Sequence, residues 1–115
     1  MSNRHTPVRL VRQFFLGFIR LHILHHASEG PVCGADLSSE LGQHGYRLSP
    51  GTLYPVLHSL KASGYLRCRY EVEGGRQRKL YTLTSKGHNA LDHARKQLQE
   101  LVGEVLGAGS GHAKR

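Results

Sequence analysis

The chain has 115 residues, of which sixteen are Lys or Arg and eight are Asp or Glu, so its formal net charge is +8. This length suits one domain with one small core. No apolar run reaches the roughly 18–20 residues of a membrane span, and no signal-peptide pattern opens the sequence, so we expect a cytoplasmic protein without a membrane partner. The basic charge indicates a polyanionic partner instead.

The N-terminal part of the sequence predicts a flexible arm followed by a long helix. Residues 1–7 are polar, whereas residues 8–27 carry apolar side chains on more than one stripe. A helix of that kind is buried on several sides. Because a small monomer cannot easily cover it, we expect part of this helix, including Phe14 and Phe18, to meet a second subunit.

Two shorter helices follow, joined by a glycine-containing turn. Residues 34–44 predict the first, and Gly45 suits the position just after its end. Ser49 is a natural N-cap and Pro50 a natural first residue for the next helix. Pro55 conflicts with that helix, because proline removes one backbone hydrogen bond. The pair is typical of a helix-turn-helix.

A β-hairpin with a basic tip comes next. Residues 65–72 alternate between apolar and charged side chains, which predicts a half-buried strand. Its apolar face consists of Leu66, Cys68, Tyr70 and Val72. Gly74 and Gly75 supply a tight turn, and residues 79–83 form the returning strand. The basic residues near the tip, for which phosphate contact is the expected role, are Arg76, Arg78 and Lys79.

The last predicted helix carries a coiled-coil pattern. Thr84 or Ser85 caps it, and it runs to about Leu106. Its apolar residues are spaced three and four apart, as in an a/d seam. They are Leu91, Ala94, Leu98, Leu101 and Val105. The sequence therefore predicts a dimerisation helix, and packing within its own domain is the alternative.

The order of elements predicts a mainly α-helical fold with a small β-hairpin, namely a winged helix-turn-helix with a C-terminal dimerisation helix. We expect a flexible arm (1–7), a DNA-binding domain (8–87), a dimerisation helix (88–107) and a disordered tail (108–115). In such a fold one helix fits the major groove of double-stranded DNA, while the basic hairpin reaches phosphates.

The third helix supplies the other candidate DNA contacts. Leu53, Leu57 and Leu60 form its apolar stripe. The candidates at its N-terminus and on its other face are Ser49, Gly51, Thr52, Tyr54, Pro55, His58 and Lys61. The helix N-terminus favours a phosphate. The tyrosine can bind a phosphate or stack on a sugar, the histidine can contact a base edge or a phosphate, and the lysine suits a phosphate.

Three segments resemble the PadR family of bacterial transcriptional regulators: residues 49–60, 64–66 and 78–87. The most specific strings are Gly-Thr-Leu-Tyr-Pro at residues 51–55 and Tyr-x-Leu-Thr-x-x-Gly at residues 81–87. The resemblance covers about residues 10–106, and it explains Pro55 as a family feature of the recognition helix.

The resemblance implies a homodimer with a single C-terminal dimer helix that represses a nearby promoter and is released by an effector. Short members of the family often bind flat aromatic or drug-like molecules near the dimer interface. Phe14, Phe15 and Phe18 are the candidate residues for such a pocket. An ordinary core role for these side chains is the alternative.

Other residues permit different functions. His22, His25 and His26 have a helical spacing at which neutral imidazoles can chelate a transition metal, although a histidine-rich surface is the simpler interpretation and we predict no cofactor. Cys33 and Cys68 form no CxxC pair and are expected to be reduced thiols. A metal- or redox-responsive winged-helix sensor using these residues is the alternative function. No catalytic motif is present, so we expect no enzyme.

Overall fold

Within the described part of the chain, four helices and one hairpin follow one another in the predicted order. The structure, a computed structural model, describes the backbone of residues 6–107 and the side chains of residues 8–107. The elements are α1 (Thr6–Ser28), α2 (Gly34–Gln43), α3 (Pro50–Ala62), β1 (Leu66–Glu73), β2 (Arg76–Leu83) and α4 (Ser85–Leu106). This confirms a mainly helical fold with a two-stranded antiparallel hairpin.

The first helix starts earlier than the sequence predicts. It begins at Thr6, so residues 6 and 7 belong to the helix and not to the expected arm. Proline is tolerated in a first helical turn, where its missing N–H would have no intrahelical partner. Residues 1–5 of the expected arm and the expected disordered tail, 108–115, lie outside the described residues.

The end of α2 is closed by a left-handed glycine, as predicted. Gly45 has φ +91° and follows the C-cap residue His44. Its N–H donates to the carbonyl of Gly42, and the N–H of Tyr46 donates to the carbonyl of Leu41. These two bonds are the Schellman pattern, which satisfies the last carbonyls of a helix. His44 is thereby held at the turn that leads to α3.

The start of α3 differs from a side-chain cap. Ser49 occupies the N-cap position and Pro50 the first turn, but the serine hydroxyl accepts no hydrogen bond from a helical N–H. It lies instead 3.4 Å from Oγ1 of Thr52, to which it donates. Pro55 lies inside the helix. Since proline has no N–H, the carbonyl of Gly51 loses its usual helical partner.

The hairpin has the predicted tight turn and is longer than expected. Gly74 and Gly75 have φ of +60° and +78°, as a two-residue turn requires, and pairing runs up to Glu73 opposite Arg76. The second strand therefore begins at Arg76, three residues before its predicted start at Lys79. At the other end Val32 pairs with Tyr81, with N···O distances of 3.0 and 2.7 Å, which ties the hairpin to the start of α2.

The prediction of an apolar, half-buried face along the whole first strand is wrong. Leu66 is 2% exposed and Cys68 is half-buried, but Tyr70 and Val72 are 60% and 74% exposed. The hairpin extends beyond the core. Apolar and charged residues therefore keep alternating along the outer part of β1, where the apolar side chains have no core to pack against. Of the four side chains on this face of β1, only Leu66 and Cys68, near the base of the hairpin, pack against the core.

The core lies where the helices meet, and the apolar stripe of α3 faces it as predicted. The fully buried side chains are Ile19, Ile23, Leu37, Leu41, Leu53, Leu57 and Leu91. The base of α4 is also close-packed, because a Cβ on Gly87 would overlap the carbonyl of Tyr65 and the side chain of Leu83. No helix among residues 6–107 is long and apolar enough to cross a membrane.

Candidate nucleic-acid interface

The third helix presents a polar face to solvent, and that face carries the predicted contact residues. Leu53, Val56, Leu57 and Leu60 are buried on its inner side. Among the predicted contacts at its N-terminus and along its outer face, Thr52 is half-buried. The exposed ones are Ser49, Gly51, Tyr54, Pro55, His58 and Lys61. The helix thus offers hydroxyl, imidazole and ammonium groups on one accessible surface.

The ring of Tyr54 occupies space that a glycine, Gly34, leaves open, and the sequence analysis missed this contact. Gly34, the buried first residue of α2, lies so close to the ring that a Cβ there would stand 2.7 Å from both Cε1 and Oη of Tyr54. The tyrosine remains 48% exposed. Its ring therefore lies across the N-terminus of α2 while its outer side stays open. No sequence pattern marks this contact, because it joins residues of two different helices.

The same tyrosine meets the hairpin across a shallow cleft of about 220 Å³. The cleft is lined by Cys33, Gly34, Ala35, Tyr54, Arg78, Lys79 and Tyr81. The structure therefore places Tyr54 of α3 next to two of the three predicted wing residues, Arg78 and Lys79.

Arg78 is not a free cation at the wing tip. Its guanidinium forms ion pairs with Glu73 and with Asp36, at 3.5 Å to the latter, and one nitrogen lies 3.1 Å from Sγ of Cys33. The hydrogen bond to Cys33, and then that to Glu73, raise its pKa. Arg78 thus connects the wing to α2, a structural role in addition to the predicted phosphate contact.

The other wing charges divide between the two faces of the hairpin. Side chains alternate along a strand, so Arg76 shares one face with Arg78, while Lys79 lies on the opposite face. The ammonium of Lys79 lies 5.6 Å from the ring centroid of Tyr81 and 5.9 Å from that of Tyr70. Tyr81 is the main cause of the raised pKa of Lys79.

Two further arginines on the wing were not among the predicted contacts. Arg67 and Arg69 are exposed on β1, opposite Thr82 and Leu80 and on the same face as Arg76. Arg69 pairs with Glu71 at 3.0 Å. The period-two pattern of β1 already placed them on the charged face, so they could have been named from the sequence.

An apolar surface runs over the ends of α1 and α4. The seam of α4 starts inside the chain's own core, because Leu91 is buried and Ala94 half-buried. The rest of the seam is exposed, together with apolar residues of α1. The exposed apolar residues of these two helices are Val8, Leu10, Val11, Phe14, Phe18, Leu98, Leu101, Val105 and Leu106.

The three phenylalanines expected near an effector pocket are not equivalent. Phe18 lines a cavity of about 290 Å³ between α1 and α4, together with Leu98. Phe15 packs against the core, with its ring centroid 5.5 Å from that of Tyr46. Phe14 is exposed and is not part of the cavity lining. Of the three, only Phe18 combines an exposed ring with a concave surface.

The three predicted histidines make two different sets of contacts. His25 faces Arg95, at 3.1 Å from its Nδ1, and Glu29, at 3.5 Å from its Nε2. His22 and His26 meet His44, and the ring of His26 also lies 5.3 Å from that of His25. Burial, and then the neighbouring imidazole of His44, lower the pKa of His22 from its ordinary value of 6.5.

Both cysteines are free thiols, as predicted. Cys33 is buried and Cys68 is half-buried. They are not joined to one another in this structure. Cys33 carries the contact with Arg78 described above.

Three helices followed by a two-stranded hairpin and a C-terminal helix, with an exposed polar face on the third helix, define a winged-helix protein. The profile of the Transcriptional regulator PadR-like family matches residues 23–93. The chain belongs to this family. A curated relative, Transcriptional regulator Rv3488 of Mycobacterium tuberculosis, is 51% identical over 100 residues, which are 87% of this chain and 94% of the relative.

Solved structures agree with the family assignment. A PadR-like transcriptional regulator from Bacillus cereus superimposes with a TM-score of 0.77 at 27% identity, covering 86% of this chain and 98% of its own. A protein from Streptococcus mutans superimposes with a TM-score of 0.72 at 30% identity, covering 81% and 87%. The resemblance seen in the sequence is confirmed, and the chain is a transcriptional regulator of a non-enzymatic family.

Proposed function

We propose that the protein is a cytoplasmic, homodimeric repressor that binds a pseudo-palindromic DNA operator through α3 and the wing, and that an effector releases it. The observation that carries the proposal is the cleft in which Tyr54, on the exposed face of α3, meets Arg78 and Lys79 of the wing. A net charge of +8 supports a polyanionic partner.

The shapes of α3 and the wing determine which part of the DNA each would contact. An α-helix fits the major groove, so α3 would lie there with Tyr54, His58 and Lys61 toward the DNA. Ser49, Gly51, Thr52 and Pro55 would lie at or near its N-terminal end, where backbone N–H groups favour a phosphate. Arg76 and Lys79 would reach phosphates from the wing, whereas Arg78 would chiefly hold the wing against α2.

The apolar surface of α1 and α4 supports the homodimer. Leu101 and Val105 are 55% and 66% exposed at seam positions, and Phe14 is 54% exposed on α1. Many exposed apolar side chains on two neighbouring helices mark an interaction site. A second copy of the chain would cover it through the remaining a/d positions of the seam. Two-fold symmetry then places two copies of α3 on two half-sites.

Release by an effector is supported by the cavity next to this surface. The cavity of about 290 Å³ has the apolar walls Phe18, Leu21, Leu91 and Leu98. An apolar, planar molecule bound there would lie beside the helices that join the two subunits. Titrating a panel of planar aromatic compounds into the protein–operator complex tests this step. If none of them lowers DNA affinity, this form of release is wrong.

Selection of binding sequences from a random DNA library tests the operator. The proposal predicts enrichment of a pseudo-palindrome whose half-site centres lie about one helical turn, 10–10.5 base pairs, or a multiple of it apart. An architectural DNA-binding protein would enrich no sequence. Enrichment of an asymmetric site read by one subunit would contradict the two-fold arrangement.

A further inference from the structure

Three imidazoles from two elements converge beside the helix-turn-helix. His22 and His26 lie one turn apart on α1, and His44 is the C-cap residue of α2. One ring nitrogen of each lies within 4.8 Å of the corresponding nitrogens of the other two. The rings of His22 and His44 stack at 5.2 Å, and His26 lies 6.1 Å from each of them.

His26 has a buried ring nitrogen without a hydrogen-bond partner among the described residues. This nitrogen is Nε2, and the side chain is 12% exposed. Its other nitrogen, Nδ1, lies 3.7 Å from Oε1 of Glu29. A buried polar atom without a partner is costly in a folded protein and calls for an explanation. A carboxylate near the nitrogen that does not bind the ion is a common feature around metal-ligating histidines.

We propose that His22, His26 and His44 form a binding site for a transition-metal ion that prefers imidazole ligands, with Zn²⁺ as the representative ion. Three histidines leave a fourth coordination position for water or another small ligand. Imidazole suits Zn²⁺, Cu²⁺ and Ni²⁺ and does not suit Mg²⁺ or Ca²⁺, which prefer oxygen.

The observed spacing is compatible with such an ion. Tetrahedral zinc with Zn–N bonds of about 2.0–2.1 Å holds its ligand nitrogens about 3.4 Å apart. The three nitrogens are already within 4.8 Å of one another, so small side-chain rotations close the site. His44 is exposed and can make the largest of these rotations.

A second group of potential ligands, His25, His26 and Glu29, shares the imidazole of His26 with the first group and so competes for it. It is the less favourable set, because a guanidinium nitrogen of Arg95 lies 3.1 Å from Nδ1 of His25. The positive charge of that arginine opposes the binding of a cation nearby. An ion bound by the first set would join α1 to the end of α2 and would favour the folded chain over the unfolded one.

Cobalt absorption and zinc calorimetry on the tag-free full chain test the site. We expect one equivalent of Zn²⁺ or Co²⁺ per chain and a rise in melting temperature with Zn²⁺. His22→Ala and His44→Ala should each weaken binding at least tenfold, while His25→Ala should bind like the wild type. The matched controls His88→Ala and His93→Ala change exposed histidines of α4 and should have no effect.

Several results would overturn the proposal. Wild-type affinity in His44→Ala, whose exposed side chain is not needed for folding, would exclude the three-histidine set. Loss of binding in His25→Ala would assign the ion to the competing set. Loss of binding in the double variant His5→Ala, His112→Ala would assign it to the chain termini. Since all these readouts concern metal and stability alone, the proposal stands independently of DNA binding.

Discussion

At the scale of single residues, the candidate interface depends on contacts that only the folded chain makes. Tyr54 lies on the exposed face of α3, and Gly34 leaves room for its ring against α2. Arg78 is held by Cys33, Asp36 and Glu73 and is less available for phosphate than its position near the wing tip suggests.

Substituting Gly34 should separate DNA affinity from stability. Gly34→Ala would place a methyl group 2.7 Å from the outer atoms of the Tyr54 ring. The ring is half exposed and can swing away, so we expect a change in unfolding free energy of no more than about 1 kcal/mol. Because the displaced ring leaves the interface, DNA affinity should fall about tenfold, measured by fluorescence anisotropy.

Gly42→Ala is the matched control for this variant. A Cβ at Gly42, also in α2, would meet nothing within 4 Å. That substitution should leave DNA affinity unchanged and slightly stabilise the helix. Wild-type DNA affinity in Gly34→Ala would contradict the role of Gly34 in placing Tyr54.

The protonation of His22 gives a second prediction at this scale. Burial, and then His44, His26 and His25, lower its pKa, so its imidazole should titrate below 6.5 in an NMR titration with chelator present. Its other neighbours are the ring of Tyr46 and, around the same cavity, Arg95. The neutral form is favoured in the folded chain, so the contribution of His22 to stability is complete above pH 6.5 and is lost as the pH falls below it. A midpoint at or above 6.5 would contradict this environment.

At the scale of elements, the two N-caps next to the interface behave differently. The hydroxyl of Thr84 accepts a hydrogen bond from the N–H of Gly87 at 3.0 Å and donates one to the carbonyl of Gly64 at 2.6 Å. The hydroxyl of Ser49 makes neither kind of bond to the backbone of its helix. A hydroxyl side chain at the N-cap therefore stabilises α4 directly but does not cap α3.

Alanine substitutions at the two N-caps test this difference in urea unfolding. Thr84→Ala should lower the free energy of unfolding by about 1–2 kcal/mol, because α4 loses its cap and the hairpin base loses a hydrogen bond. Ser49→Ala should cost less than about 0.5 kcal/mol. Equal losses in the two variants would show that the serine also caps its helix.

Much of the element layout could be predicted because it depends on near neighbours along the chain. The three-four spacing of α4, the Gly74–Gly75 turn and the glycine after α2 each act within a few residues. How far the core reaches along the hairpin is not a local property, and this is why Tyr70 and Val72 were wrongly expected to be half-buried. The pairing of Arg78 with Cys33 and the approach of His44 to His22 join distant parts of the sequence, and no local pattern marks them.

At the scale of the whole molecule, the apolar surface of α1 and α4 and the polar surface of α3 and the wing have different tasks in the proposed function. The first would join two chains, and the second would bind DNA. Leu91 at the start of the α4 seam belongs to the core, while Leu101 and Val105 near its end remain exposed. Substitutions near the end of the seam therefore test the dimer without disturbing the fold.

If the proposed dimer forms, Leu101→Asp should convert it into a folded monomer. The leucine is 55% exposed in the single chain, so the fold does not depend on it, but a carboxylate in a dimer seam would be buried without a partner. We expect the monomer mass in light scattering at micromolar concentration, with the helical circular dichroism retained. The control Gln99→Asp adds the same charge to an exposed position outside the seam and should stay dimeric. A dimer in Leu101→Asp would mean that another surface joins the subunits.

Binding of the protein to the DNA upstream of its own gene tests the proposed function most directly. Fluorescence anisotropy at about 150 mM salt compares that DNA with a scrambled duplex of the same length and base composition. A sequence-specific regulator should bind its own upstream region at least about a thousandfold more tightly than the scrambled duplex, and both affinities should fall steeply with added salt. Equal affinity for the two duplexes would contradict a sequence-specific regulator of its own promoter.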